Sequence, residues 1–242
     1  MSAFYFGPSD RQLFGYHHLP RPPVSDAVLI CPSWGGEYEY AHRALVVLSK
    51  RLAGRGCHVL RFDYSGTGDS WGDSTDADLH RWREDVDRAV DELRAASGRE
   101  QVSIVGLRLG AAVAAGAGAV ADASTRLVLW DPIVDGDAWV AGLGSGTAGD
   151  DGLVEFGRSL VTRTFVDQIA GVGPETFEGL TTREVLLLLT AGEESSGSGI
   201  LPEAPRLERV TMEQPSPWVE DESIWTGQVP VDAVRTIAEW VA

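Results

Sequence analysis

The sequence predicts an α/β domain in which a mostly parallel sheet is flanked by helices and carries a small insert. Three observations predict it. Short apolar runs alternate with amphipathic stretches along most of the chain, and that alternation implies parallel strands joined by helical crossovers. The run Ala27–Cys31 is apolar throughout, which fits a strand buried on both faces. In "VSIVGLRLGAAVAAGAG", Val102 to Gly118, a β-branched run enters a G-x-x-x-G turn and leaves into an Ala-rich helix.

Taken in order, Ala3–Phe6 and Gln12–His18 read as a hairpin across "GPSD", and "RPPVSD" as a connector that two prolines keep irregular. After the strand Ala27–Cys31, a helix is expected over Tyr40–Arg55, with Leu45, Leu48 and Leu52 on one stripe. Cys57–Phe62 is the next strand, and "DYSGTGDSWGDSTD" a polar, Gly-rich loop. Asp78 starts a second helix, with Leu79, Trp82, Val86, Val90 and Leu93 at helical spacing. Val102–Gly106 is a strand, Leu109–Ala121 a buried helix, and Arg126–Trp130 a further strand. Residues 136–182 interrupt the alternation with two weak helical patches and "GLGSGTAGDDG", the pattern of a small lid inserted above the sheet. Val185–Thr190 and Leu207–Met212 resume the strands, and Val231–Val241 closes the chain as a helix. The whole length, 1–242, reads as one domain without internal repeats.

Composition narrows the function classes. Hydrophobic residues at 43% and charged residues at 23% describe a globular chain. No apolar run reaches the roughly 20 residues that span a bilayer. The start, "MSAFYFGPSDRQ", lacks the basic and apolar regions of a secretory signal. A cytoplasmic location is expected, with Cys31 and Cys57 as buried, reduced thiols. Neither cysteine lies in a C-x-x-C or His-rich cluster, so no metal site is expected. The net charge of −16 argues against nucleic acid or anionic membrane as a partner. Lys50 is the only lysine among 20 basic residues, a bias that fits a GC-rich bacterial genome.

Strand, G-x-x-x-G and helix form the pattern of a nucleophile elbow, in which the central residue projects above the carboxyl edge of the sheet. Here that residue is Arg108, in "GLRLG". A guanidinium stays protonated and cannot attack a carbonyl. The segments "VLICPSWGG", "VLRFDYSGTGDS", "VSIVGLRLGAA" and "VLLLLTAGEES" together resemble the α/β-hydrolase superfamily over most of the chain. "CPSWGGEYEYAHRAL", "GLRLGAA" and "LVLWDPIVDG" resemble more narrowly a bacterial subgroup of exosortase-associated or serine-aminopeptidase-like hydrolases with Arg at the elbow. The resemblance implies an α/β-hydrolase fold, and biosynthetic gene neighbourhoods whose ligand is an intermediate or a carrier-bound chain.

A hydrolytic triad needs a nucleophile, a His base and an acid. The acid expected after Gly192 falls at Ser195, with Glu193 and Glu194 as shifted substitutes. The base is expected near "EQPSPWVED", yet His17, His18, His42, His58 and His80 all precede the elbow. A cation at a helix N-terminus requires an anionic partner. Asp131, at the end of the Arg126–Trp130 strand, is the first choice, and Glu37, after the first parallel strand, the second. Arg108 then either plugs a dead site with a protein carboxylate or, with the N–H groups at Leu109, anchors a ligand carboxylate or phosphate.

Ser33, beside Trp34-Gly35-Gly36, is an alternative nucleophile or an oxyanion-loop residue, and Ser33 and Asp131 are the remaining catalytic candidates. His42 is placed inside a helix, and "HRWRED", His80 to Asp85, puts its two ends on different helix faces. Asp63 is expected to bond within its own loop. The G-x-G-x-x-G beginning at Gly144 follows no Rossmann strand, so no nucleotide cofactor is implied. Trp34, Trp130, Trp139 and Trp218 are candidates for a pocket beneath the lid. Two functions follow. One is a triad-less homologue binding a small acyl or carboxylate-bearing ligand through Arg108, Leu109, Glu37, Trp34, Trp130 and Asp131. The other is a hydrolase or acyltransferase acting on an ester or thioester through other residues.

Overall fold

The computed structural model describes residues 1–22, 24, 26–121, 126–144, 152–178, 180, 184–191, 206–215, 218 and 229–242. Among the described residues ten strands and six α-helices follow in the order β1 (Ser2–Phe6), β2 (Leu13–His18), β3 (Ala27–Cys31), α1 (Gly36–Gly54), β4 (His58–Phe62), α2 (Leu79–Ser97), β5 (Val102–Leu107), α3 (Leu109–Ala115), β6 (Arg126–Trp130), α4 (Gly136–Leu143), β7 (Leu153–Phe156), β8 (Ser159–Thr162), α5 (Arg163–Ala170), β9 (Glu184–Ala191), β10 (Leu207–Pro215) and α6 (Val231–Val241). Eight of the strands form one sheet in the order β1-β2-β4-β3-β5-β6-β9-β10. β1 and β2 form the expected hairpin, and β2 joins β4 antiparallel. From β4 to β10 every pairing is parallel.

Alternate residues of the central strands supply two cores. Leu29, Ile104, Leu127 and Leu187 face α2, α3 and the segment between β6 and β9. Val28, Val105, Val128 and Leu186 face α1 and α6. Strands buried on both faces leave the carboxyl edge, where the loops converge, as the place for a ligand.

Local chemistry sets the helix ends. α2 starts where the Asp78 carboxylate accepts from the Arg81 N–H and stops at Gly98, in left-handed conformation with φ 67°. α1 begins at Gly36, four residues before the expected Tyr40. Glu37 and Glu39 in its first turn suit a helix N-terminus, which apolar periodicity alone does not register. α3 is shorter than expected and ends at Ala115. Gly116 lies under Arg83, whose Nε would be 2.5 Å from a Cβ there. Asp87 then accepts from the Gly118 and Ala119 N–H groups at 3.3 and 2.7 Å and starts a 3-10 turn, Gly118–Ala121.

The segment between β6 and β9 holds the two expected helices, α4 and α5, and a hairpin the periodicity did not predict. β7 and β8 pair antiparallel across Gly157-Arg158, whose φ values of 57° and 69° fit a two-residue primed turn. Val154, Phe156 and Val161 of this hairpin join the core. Residues 145–151, with most of the glycine-rich run, lie outside the described residues. Among the described residues no helix is long and apolar enough to cross a membrane.

Candidate functional site

Arg108 closes β5 and is the N-cap of α3, at φ 55° and ψ −122°. A non-glycine residue in this region is strained, at a cost of order 1–3 kcal/mol, and that strain is the mark of an elbow. Both flanking glycines are required by close approach. A Cβ on Gly110 would lie 2.2 Å from the Pro32 carbonyl oxygen, and one on Gly106 would lie 2.5 Å from Ala111 Cα. The turn therefore keeps the tight geometry of a nucleophile elbow around a side chain that is not a nucleophile.

The guanidinium is buried and is received by Glu37. Arg108 Nε and Nη2 both donate to Glu37 Oε1, at 3.1 and 3.0 Å. Trp139 Nε1 donates to the same oxygen at 3.2 Å. Glu37 Oε2 is buried and has no hydrogen-bond partner among the described residues. Asp131, the first-choice partner from sequence, gives Arg108 only its backbone carbonyl, at 3.3 Å. Asp131 leaves β6 at φ 44°. Its carboxylate instead accepts from the Thr190 N–H at 2.7 Å, the Thr190 hydroxyl at 2.8 Å and Trp218 Nε1 at 2.8 Å. Burial raises the Asp131 pKa above the usual carboxylate range, against the opposing pull of these bonds and of the Arg108 charge.

In a triad the acid holds the N–H of an imidazole whose other nitrogen takes a proton. Here Asp131 holds the N–H of an indole, which has no second nitrogen and only donates. Trp218 lies in the "EQPSPWVED" stretch where a base was expected. The five histidines sit elsewhere. His17 and His18 are on β2, His42 is exposed on α1, His58 starts β4 and His80 is exposed on α2. None of the five lines either large cavity at the carboxyl edge.

One cavity, of about 530 Å³, is walled by Trp34, Tyr40, Trp139 and Trp218, with Glu37 and Arg158 among its polar members. A second, of about 410 Å³, is lined by Ser33, Tyr38, Tyr64, Thr67 and Asp73. Trp34, Gly35, Gly157 and Arg158 belong to both walls. The β7–β8 turn is seated there. A Cβ on Gly157 would lie 2.7 Å from the Trp34 ring, and one on Gly35 would lie 2.9 Å from the Gly157 carbonyl oxygen. Trp34 also stacks on Phe156 at 5.8 Å and meets Phe165 edge-on at 5.1 Å.

Of the residues predicted for the site, Glu37, Trp34, Trp139 and Trp218 come together around the larger cavity. Arg108 stands behind Glu37 and lines neither cavity. Trp130 is fully buried on the α1–α6 face, edge-on to Trp218 at 5.2 Å, and Leu109 is packed into the opposite core. Neither reaches a cavity, because strand and helix direction turn both side chains inward. Ser33 Oγ is buried in the smaller cavity without a partner among the described residues. Tyr40 and Arg158 carry no motif and are found only by the fold. Asp63 bonds within its loop to the Asp69 N–H at 3.1 Å and also accepts from Tyr38 Oη at 2.8 Å. In "HRWRED", Asp85 is buried against Ser65 while His80 faces solvent. Glu193, Glu194 and Ser195 lie outside the described residues. No group of three or more metal-ligating side chains occurs among the described residues.

The sequence model described as the alpha/beta hydrolase family matches residues 27–240. A search of curated proteins returned no match. Among solved structures, Est1E from Butyrivibrio proteoclasticus with ferulic acid bound is similar at TM-score 0.72 and 17% identity, with 99% of each chain covered. Alpha/beta hydrolase domain-containing protein 10 from mouse is similar at TM-score 0.70 and 16% identity, covering 100% of this chain and 98% of that one. Proline iminopeptidase from Mycobacterium smegmatis is similar at TM-score 0.66 and 12% identity, covering 99% and 97%. At these identities the likeness is one of fold. With the family match spanning residues 27–240, this chain belongs to the alpha/beta hydrolase family.

Proposed function

We propose that this protein binds a small acyl-bearing ligand, free or carried, and does not perform Ser-His-Asp hydrolysis. The observation that carries this reading is the 2.8 Å bond from Trp218 Nε1 to Asp131, which gives the buried carboxylate beside the elbow an indole rather than an imidazole. An indole there cannot accept the proton that an attacking hydroxyl must lose, and the elbow presents Arg108 in place of that hydroxyl. The apolar part of the ligand fits the larger cavity, whose 530 Å³ and ring-lined wall suit a short acyl or aryl group. The counter-ion that Arg108 demands is already supplied by Glu37, so Arg108 acts through Glu37 and needs no ligand carboxylate.

The second reading, an ester or thioester hydrolase or an acyltransferase, is favoured by Ser33 alone, whose hydroxyl is buried and unpartnered in the smaller cavity. Fluorophosphonate labelling followed by peptide mass mapping tests the choice. No adduct is expected, and an adduct on Ser33 would overturn the binding reading. Arg108→Ser is expected to give no turnover of p-nitrophenyl acetate above buffer, because the variant still lacks a base beside the new hydroxyl. Measurable turnover would mean that a proton acceptor is present.

A further inference from the structure

We infer that the ligand of the Trp139 cavity presents an ammonium group, which donates to Glu37 Oε2. The inference rests on the ligand-binding reading above and adds the chemistry of the recognised group. The two oxygens of Glu37 are used unequally. Oε1 takes three donors, from Arg108 Nε, Arg108 Nη2 and Trp139 Nε1. Oε2 takes none among the described residues, although the side chain is only 10% exposed. A buried carboxylate oxygen without a donor is costly, and Glu37 belongs to the cavity wall. Oε2 is closed to solvent as well as unpartnered among the described residues, so a ligand group that packs against it must bring its own N–H or O–H.

Three observations favour a cationic N–H over a neutral O–H. Any donor makes a charge-assisted bond to a carboxylate, but only the ammonium adds the attraction of a full opposite charge in a cleft of low dielectric. The wall is built from Trp34, Tyr40, Trp139 and Trp218, ring systems that attract a cation as well as an apolar chain. The chain carries a net charge of −16, which draws cations towards its clefts. A ligand carboxylate meets the opposite conditions. It would approach Glu37 Oε2, and the cation of the same wall, Arg158, is exposed and already 3.4 Å from Glu39.

The test is a titration of the full chain at neutral pH with hexylammonium, hexan-1-ol and hexanoate, followed by tryptophan fluorescence and calorimetry. Hexylammonium is expected to bind about tenfold more tightly than either of the others. Hexyltrimethylammonium keeps the charge but has no N–H, and is expected to bind more weakly than hexylammonium. The paired variant Glu37→Gln/Arg108→Met, which removes both buried charges together, is expected to lose the preference for hexylammonium over hexan-1-ol. If that variant does not fold, the four-ligand ranking on the natural chain decides the matter alone. Binding of hexan-1-ol or hexanoate as tight as hexylammonium overturns the ammonium assignment and leaves the ligand-binding reading standing. Binding by none of the four overturns the assignment as well. Ester turnover or a serine adduct overturns the ligand-binding reading itself.

Discussion

Arg108 holds φ 55° at a position where glycine would rest without strain, and its guanidinium keeps the Glu37 carboxylate beside it. Removing that carboxylate takes two charge-assisted bonds from a buried guanidinium. Glu37→Ala is expected to destabilise the chain by roughly 3–5 kcal/mol, read from the urea midpoint at constant slope, and adding Arg108→Met should recover most of the loss. An unchanged midpoint in Glu37→Ala would show that the pair contributes nothing to stability. At this scale the sequence told half the story. The replacement of a nucleophile by arginine at 108, and the need for an acidic partner, were legible from charge and turn pattern. The choice between Asp131 and Glu37 was not, because it depends on where Asp131 aims. Thr190 and Trp218, distant in sequence, supply the three donors that hold its carboxylate away from the arginine.

The strand–turn–helix unit at the elbow depends on two positions without side chains. Gly110→Ala would place a Cβ 2.2 Å from one backbone oxygen and 2.5 Å from another. Backbone cannot yield as a flexible side chain does, so the cost should exceed the roughly 1–3 kcal/mol typical of overpacking. Loss of soluble folded protein, monitored by near-ultraviolet circular dichroism, is the expected outcome. A native spectrum would refute the close approach of α3 to the end of β3. The β7–β8 hairpin offers a milder case. Gly157→Ala forces a side chain to φ 57° and towards the Trp34 ring, with a backbone cost of about 1–2 kcal/mol. Faster limited proteolysis within residues 153–162 is expected, together with a shift in Trp34 emission. Most strands and helices were legible because apolar periodicity marks them. The hairpin was not, since its strands are four residues each and their register depends on packing against Trp34. The early start of α1 and early end of α3 were set by Glu37, Glu39, Arg83 and Asp87, contacts that periodicity does not encode.

For the molecule as a whole, the pH response follows from histidines buried near the antiparallel edge of the sheet. Burial and the nearby Arg61 charge lower the His18 pKa from 6.5 to about 4. The unfolded chain therefore takes up a proton near pH 6.5, while the folded chain refuses it until about pH 4. This group's contribution is intact above pH 6.5 and is lost as pH falls through that window. His17 and His58 shift in the same direction, chiefly through burial. Asp85 and Asp131, whose pKa values are raised, oppose the trend by favouring the folded state as they take up protons. His18→Gln isolates one contribution. Its melting temperature is expected to fall less than that of the natural chain between pH 7 and pH 5, and an equal fall would refute the assignment. At this scale the sequence was most informative. Alternating apolar runs and the G-x-x-x-G turn implied the fold that the parallel pairings and the family match show. Of the larger cavity's wall, Trp34, Trp139 and Trp218 were candidates from the sequence, whereas Tyr40 and Arg158 were not, because only the fold brings their separate segments to the cavity.

The seam of Trp34, Gly35, Gly157 and Arg158 has an evolutionary consequence. A mutation in the seam reshapes both chambers at once, whereas a change at Tyr40 or Thr67 alters only one. Selection on one chamber's occupant is thereby linked to the other through four shared positions, and homologues that diverge in taste should vary first at the unshared ones.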